Sequence, residues 1–299
     1  MKDLCSSSSC LVVATRVEGI ACLRGEVPQW HHDFVLCADG GQRVASDLGL
    51  RADAYIGDYD SSVRPAGRVY ELSAARAVLT VSQEERAHIV QTALVRRQRA
   101  GSNPLGARLS GGAGAVWAAE PGSCAVEDLA PEKELSTRFS AKAGDQGAIN
   151  SAEPAVFVLP AEKAMTDSEA AIDVAVQLGF TEIELLGGLG GRLDHTIGNL
   201  TVLAKYVDSP VHVRIFDGFN SVEMVGPGTH TVWRRGFTYF GVLAYGGAAS
   251  GVTMRGVKYE VTDFYLGDSS TRGVSNEILD EKATISVEQG RLLLICSRD

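Results

Sequence analysis

The sequence predicts an α/β chain: a doubly wound, mostly parallel sheet in the N-terminal part, followed by an all-β sandwich or barrel. Three observations carry this. Short β-branched runs alternate with helical patterns up to about residue 209. After Pro210 the helical patterns stop, and short alternating runs split by DG, PG, GG and QG turns take over. Aspartates and glycines collect just after the predicted strands, where an open parallel sheet receives its ligands.

The elements follow in order. Cys10–Thr15 (CLVVAT) and Phe34–Ala38 (FVLCA) read as buried strands. Asp39–Gly41 turns into a short helix, QRVASDL, that Gly49 closes. Asp53–Gly57 is the next strand and Ala155–Pro160 another. TDSEAAIDVAVQLGF then reads as a helix, with Ala171, Val174, Ala175 and Leu178 on its buried stripe. Thr166 and Glu169 give it an S/T-x-x-E capping box. Thr181–Gly187 is a strand, and His195–Val207 a helix with Ile197, Leu200 and Ala204 on one face. The stretch from Asp60 to Lys163 is far longer than the ~30 residues of one βαβ unit. Within it, Arg86–Arg99 has helical character and Ala100–Ser151 is rich in Ala, Gly and Ser. Residues from about 86 to 152 therefore read as an insertion, largely a mobile surface loop. Beyond Pro210, VHVRIFDG, SVEMVG, THTVW, FTYFGVLAYG, GVTMRGVKYEV, FYLG, KATISVE and RLLLICS are short strands. The expected division is 1–209 and 210–299.

Bulk composition narrows the class. The 299 residues are 45% hydrophobic and 22% charged, the balance of a soluble globular protein. A net charge of −9 argues against general nucleic-acid binding, though not against a local phosphate site. None of the six cysteines (Cys5, Cys10, Cys22, Cys37, Cys124, Cys296) makes a CxxC pair, and Cys37 and Cys296 lie in apolar, strand-like runs. No run is long enough for a membrane span, and the N-terminal apolar run is too short for a signal peptide. A cytoplasmic protein with no membrane partner is expected.

The chemistry gathers around GGLGGRLDH, Gly187–His195. Glycines between a strand and a helix start suit an anion, because free N–H groups and the helix dipole point at it. The motif fits neither GxGxxG nor the P-loop, and Asp194 taken alone reads equally as an N-cap. Asp39, Asp58, Asp60, Asp167 and Asp194 all fall at predicted strand ends. Crowded carboxylates resist ionising together, and a hard cation such as Mg²⁺ resolves the conflict. Arg192 and Lys163 supply the fixed positive charge a phosphate needs. His195 either bonds a phosphate oxygen or covers the helix start.

ADGGQR (Ala38–Arg43), IGDYDSS (Ile56–Ser62), EKAMTDSEAA (Glu162–Ala171) and GGLGGRLDHTIGNL (Gly187–Leu200) resemble, in order, the signature blocks of the thiamine pyrophosphokinase family. GVTMRGVKYEV, RGVSNE and KATISVEQGRLLLI resemble its thiamine-binding β domain. The resemblance implies a homodimer that transfers pyrophosphate from ATP to the hydroxyl of thiamine, giving thiamine diphosphate and AMP. It implies that Asp39, Asp58, Asp60 and Asp167 hold Mg²⁺ and the ATP phosphates. Gly40, Gly41, Lys163, Gly190, Gly191 and His195 would shape the nucleotide site. Asp60, Asp194 and Arg192 would serve the transfer, with Asp60 or Asp194 taking the hydroxyl proton. Ser275 and Asn276 would hold thiamine across the subunit interface. Two departures stand out: Ala164 replaces the family's usual aspartate, and the central insertion is atypical. Two other functions fit parts of the pattern, a pyrophosphokinase acting on a hydroxymethyl pterin and a non-catalytic sensor of thiamine or nucleotide.

Overall fold

β1 (Ser9–Val13) lies near the middle of a ten-stranded sheet. The N-terminal elements are α1 (Ile20–Leu23), β2 (Phe34–Ala38), α2 (Gly41–Asp47), β3 (Ala54–Gly57), β4 (Arg68–Glu71), α3 (Gln83–Arg99), β5 (Ala155–Val158), α4 (Asp167–Gln177), β6 (Glu182–Leu186) and α5 (Leu193–Tyr206). Then come β7 (His212–Phe216), β8 (Asn220–Val225), β9 (Gly228–Trp233), β10 (Tyr239–Ala244), β11 (Ala249–Arg255), β12 (Val261–Leu266), β13 (Lys282–Val287) and β14 (Leu292–Ser297). This computed structural model describes residues 8–27, 30–60, 63–73, 77–99 and 153–299.

The large sheet has the order β10-β14-β8-β7-β6-β1-β2-β3-β5-β4. From β7 to β4 every neighbouring pair is parallel. The alternation of β1 shows why the sheet is wound on both faces. Cys10 and Val12 pack with Ala171, Val174 and Leu203 from α4 and α5. Leu11 and Val13 face the other way, against Leu23 of α1 and Val44 and Ala45 of α2. From β8 onward the pairing is antiparallel. A second, four-stranded sheet, β12-β11-β13-β9, closes the C-terminal sandwich over a core that includes Phe240, Val242, Val252, Ile285 and Leu294. β7 begins just past Pro210 and pairs with β6, so the large sheet runs unbroken through that point.

Most elements fall where the sequence puts them, with ends differing by a few residues. β4 and α1 are additions that short, weakly patterned segments did not signal. The helix around 86–99 begins at Gln83 and docks through buried Ile89 and Ala93. Arg97 fixes it further, donating at 3.2 and 2.5 Å to the buried Asp53 carboxylate. The rest of the insertion, with Cys124, lies outside the described residues, as does Cys5. One helix face needs correction: Ile197 is 54% exposed, and α5 buries Asn199, Val202, Leu203 and Tyr206. Leu200 and Ala204 of the expected stripe do pack against the core, partly buried, so the departure is confined to Ile197, near the start of the helix. Cys10, Cys22, Cys37 and Cys296 are free, and all but Cys22 are buried. Among the described residues no helix is long and apolar enough to cross a membrane.

His212 ties three strands together. It lies 3.3 Å from Glu182 on β6 and 2.9 Å from Glu223 on β8. Burial opposes its charge, but hydrogen bonds to both carboxylates outweigh that, and its pKa is pushed up to about 9 from 6.5. A folded value above the unfolded one stabilises the fold below the lower value and loses that contribution as pH rises through the upper. Urea unfolding should therefore show stability falling between pH 6.5 and 9. His212→Gln should flatten that slope; an unchanged slope would assign it to other groups.

Candidate active site

Parallel neighbours β2, β3 and β5 end at one edge, and the loops leaving them carry the acid residues. Asp39 follows β2 with φ 44°, and its N–H donates to the Ile56 carbonyl at 2.7 Å. Asp58 and Asp60 follow β3, and Tyr59 between them has φ 57°. Left-handed backbone at a tyrosine is costly and persists only where its surroundings impose it, often at working sites. Lys163 reaches in from the segment after β5. Its Nζ lies 2.5 Å from Asp58 Oδ2 and 3.3 Å from Asp167 Oδ1. Thr166 caps α4 by accepting from the Glu169 N–H at 3.2 Å, and this fixes Asp167 in the first turn. The reciprocal half of the box is not made, because the Glu169 carboxylate turns to Lys205 at 3.4 Å.

The charges at this rim do not cancel. The hydrogen bond from Lys163 holds the Asp58 carboxyl below its usual range. Burial raises Asp167; Lys163 pulls it back, and the charges of Asp58 and Asp39 push it up again. The Asp167 Oδ1 is buried with no hydrogen bond of good geometry, and neither has the buried Tyr59 hydroxyl. Asp60 stands exposed at the mouth, its N–H 3.4 Å from Asp58 Oδ1. Among the described residues, no three acidic, histidine or cysteine side chains are gathered closely enough to hold a metal ion unaided.

Beside the rim lies the point where chain order reverses across β1: β2 continues on one side and β6 on the other. The glycine loop leaves β6 here. Gly190 and Gly191 have φ 75° and 66°, and a methyl carbon on Gly191 would stand 2.9 Å from Arg16 Nη1. The loop is held from its own helix, by Asn199 Nδ2 donating to the Gly188 carbonyl at 2.7 Å and Thr196 Oγ1 to that of Gly190 at 3.3 Å. The α5 start carries no side-chain cap, and neither does that of α2 at Gly40 and Gly41. Gly41 is required by contact, since any Cβ there would overlap the Val13 carbonyl. Arg192, Asp194 and His195 are exposed. Arg192 donates to both Asp194 oxygens, at 3.1 and 2.5 Å, and those bonds hold the Asp194 carboxyl below its usual range. Asp194 thus faces Arg192 and not the Lys163 cluster.

The C-terminal pair is placed elsewhere. Ser275, with φ 60°, lines a cavity of about 500 Å³ together with Tyr239, Gly241, Leu243, Val274 and Ile295. Its volume falls in the range of small-molecule sites, about 300–1,000 Å³. Asn276 is buried and spends its amide internally: Oδ1 accepts from the N–H groups of Tyr259 and Glu277, both at 2.9 Å, and Nδ2 donates to the Tyr259 carbonyl at 3.0 Å. It braces the turn that follows Ser275 and does not line the cavity. Sequence reasoning did not single out Tyr59, Asn199 or the Thr15–Glu18 segment. Asn199 alone left a usable signal, a polar residue at an apolar helical position.

Comparisons bear on this arrangement. Residues 140–215 match the catalytic domain of thiamin pyrophosphokinase, and residues 229–292 match its vitamin B1 binding domain. Over 152 residues the chain is 32% identical to a thiamine pyrophosphokinase of Bacillus subtilis, covering 50% of this chain and 71% of that protein. Over 102 residues it is 31% identical to thiamin pyrophosphokinase 1 of Caenorhabditis elegans, covering 33% of this chain and 42% of that one. Among solved structures, the Bacillus subtilis thiamine pyrophosphokinase superposes with a TM-score of 0.60 at 21% identity, covering 98% of this chain and 99% of that one. Thiamin pyrophosphokinase from Candida albicans gives 0.52 at 12% identity, covering 98% and 90%. These two likenesses establish the fold.

The internal bonding of Asn276 generates a prediction. Asn276→Ala leaves two N–H groups and a carbonyl without their partner, so it should cost about 2 kcal/mol or more in urea unfolding. Ser275→Ala, on the cavity surface, should leave unfolding within about 0.5 kcal/mol of the parent. Equal costs would contradict the separate roles.

Proposed function

This chain belongs to the thiamine pyrophosphokinase family, and from that premise we infer that it transfers pyrophosphate from ATP to the hydroxyl of thiamine, giving thiamine diphosphate and AMP. The observation that carries the reading is the uncompensated rim, where a buried Asp167 oxygen, its ion pair to Lys163 stretched to 3.3 Å, shares one ammonium with Asp58 and feels the charge of Asp39. Oxygen donors that repel one another fit a hard divalent cation. Asp39, Asp58, Asp60 and Asp167 are the residues proposed to hold Mg²⁺, which needs only one or two carboxylates when substrate phosphates complete its shell. When bound it offsets charge on the transferring group and on the AMP leaving group.

The remaining work is positioning and charge stabilisation. Gly40, Gly41, Gly190 and Gly191 lie at two uncapped helix starts, which suit phosphate oxygens. Lys163 and Arg192 supply fixed charge, with His195 beside the phosphates. Asp60 is the better acceptor for the hydroxyl proton, because Arg192 already depresses the Asp194 carboxyl and weakens it as a base.

Thiamine is assigned to the Ser275 cavity. That cavity lies on β10 and β14, and β10 stands six strand steps from β2. At ~4.8 Å per step this is roughly 29 Å of sheet, too far for one small substrate to bridge. A homodimer in which the cavity of one chain meets the rim of its partner satisfies both assignments. The four cysteines among the described residues are free, which favours a reducing compartment, so the cytoplasm is the proposed location.

Three measurements test this. Asp58→Asn and Asp60→Asn should each cut thiamine-dependent AMP release by about a hundredfold or more with the fold intact; near-normal turnover in both removes the metal assignment. A hydroxymethyl pterin should not replace thiamine as acceptor, and AMP release that ignores thiamine would point to a different activity. Mixing Asp58→Asn with a cavity-filling Ser275→Trp chain should restore roughly a quarter of parental activity, because half the dimers are mixed and each keeps one intact shared site. No restoration after subunit exchange would mean that each site is built by one chain.

A further inference from the structure

We propose that Arg16 is a phosphate-binding residue of the nucleotide site, and that Glu18 is its resident counter-ion, released when the nucleotide arrives. The inference rests on the nucleotide reading of the crevice and adds a residue pair to it.

Position comes first. The segment after β1 leaves the sheet between β6 and β2, at the reversal of strand order where open α/β sheets take their ligands. Thr15 Oγ1 lies 3.4 Å from Asp39 Oδ2, which ties this segment to the acid rim. On its other side it lies against the glycine loop. The Gly188 N–H donates to the Arg16 carbonyl at 3.4 Å, and a methyl carbon on Gly190 would stand 2.7 Å from Glu18 Cγ. A further anchor comes from the loop after β7, whose Gly218 N–H donates to the Glu18 carbonyl at 2.9 Å. The backbone is therefore held on several sides, and the arginine stands between rim and glycine loop, along the path a triphosphate must follow.

Chemistry comes second. The Arg16 side chain is 68% exposed, and its Nε and Nη2 both lie 2.7 Å from Glu18 Oε1. One carboxylate oxygen thus collects two donors of the fork and leaves the other donors unengaged by Glu18. An exposed pair of this kind is weak, and opening it costs little. A phosphate offers several charged oxygens to the same planar fork and competes well for it. Lys163 is a different kind of cation: 9% exposed and held by Asp58 and Asp167. Gly191 packs close to the guanidinium, so a Cβ there would stand 2.9 Å from Arg16 Nη1 and displace the fork, while the φ of 66° separately disfavours a side chain.

The two partners should act with opposite sign, which a purely structural ion pair would not do. The test is calorimetric titration of the full chain with Mg²⁺ and adenosine 5′-(β,γ-imido)triphosphate. Arg16→Ala should weaken binding roughly tenfold, Arg16→Lys should recover part of that, and Glu18→Gln should tighten binding severalfold. In steady state the KM for ATP should follow these changes while the KM for thiamine stays fixed. Arg16→Ala binding like the parent, or Glu18→Gln weakening binding as Arg16→Ala does, overturns the proposal. A parent chain that binds thiamine but not the nucleotide analogue overturns the nucleotide reading itself. Should Arg16→Ala fail to fold, Arg16→Lys and Glu18→Gln still decide between the outcomes.

Discussion

The Lys163 ammonium, 2.5 Å from Asp58 and 3.3 Å from Asp167, is the contact on which the acid rim depends. Carboxylates from three separate stretches can approach one another only because a positive charge stands among them. Burial penalises that charge, and the hydrogen bond to Asp58 and the charge of Asp167 outweigh the penalty, so Lys163 stays protonated. One ammonium cannot neutralise Asp39, Asp58 and Asp167 together. The surplus negative charge is stored in the folded chain, where parallel β2, β3 and β5 deliver it to a single edge. One consequence is visible at Asp167, whose buried Oδ1 lacks a hydrogen bond of good geometry.

The large sheet imposes the second constraint. Its parallel half carries the rim and its antiparallel end carries the Ser275 cavity, and the two are joined without a break through β6, β7 and β8. A continuous hydrogen-bonded ladder is stiff over this width and does not fold back to bring its ends together. The acid rim and the Ser275 cavity are therefore held apart within one chain, which is the separation that the proposed homodimer addresses.

Much of this was legible in sequence, for reasons that differ by element. β2 and β3 were plain because their residues are uniformly apolar and end in aspartate. α4 was plain because its capping threonine and its buried alanine and valine stripe agree. The placing of Asp39, Asp58, Asp60, Asp167 and Asp194 at strand ends was readable from the order of elements, while the pairing of Lys163 with Asp58 and Asp167 was not. What sequence could not give was pairing at close range. Nothing in GGLGGRLDH says that Asp194 is held by Arg192, nor does GVSNE say that Asn276 spends its amide on Tyr259 and Glu277. Both depend on local backbone turns. Arg16 was silent for a simpler cause: an isolated arginine after a strand is ordinary, and it gains meaning only when β6 proves to be the neighbour of β1.

The net charge of −9 poses a problem that the crevice answers. An acidic protein must bind a highly anionic nucleotide without a broadly basic surface. Around the proposed site, Arg16, Lys163 and Arg192 are each matched with a carboxylate: Glu18, Asp58 with Asp167, and Asp194. Pairing leaves none of these three cations unopposed, which disfavours nonspecific anions that lack the reach to displace several carboxylates at once. A nucleotide carrying its own divalent cation can exchange partners on both sides, offering oxygens to the arginines and a cation to the released acids. On the proposed reading, selection for a metal-bound triphosphate over simple anions would rest on the internal pairing itself, with no excess positive charge required.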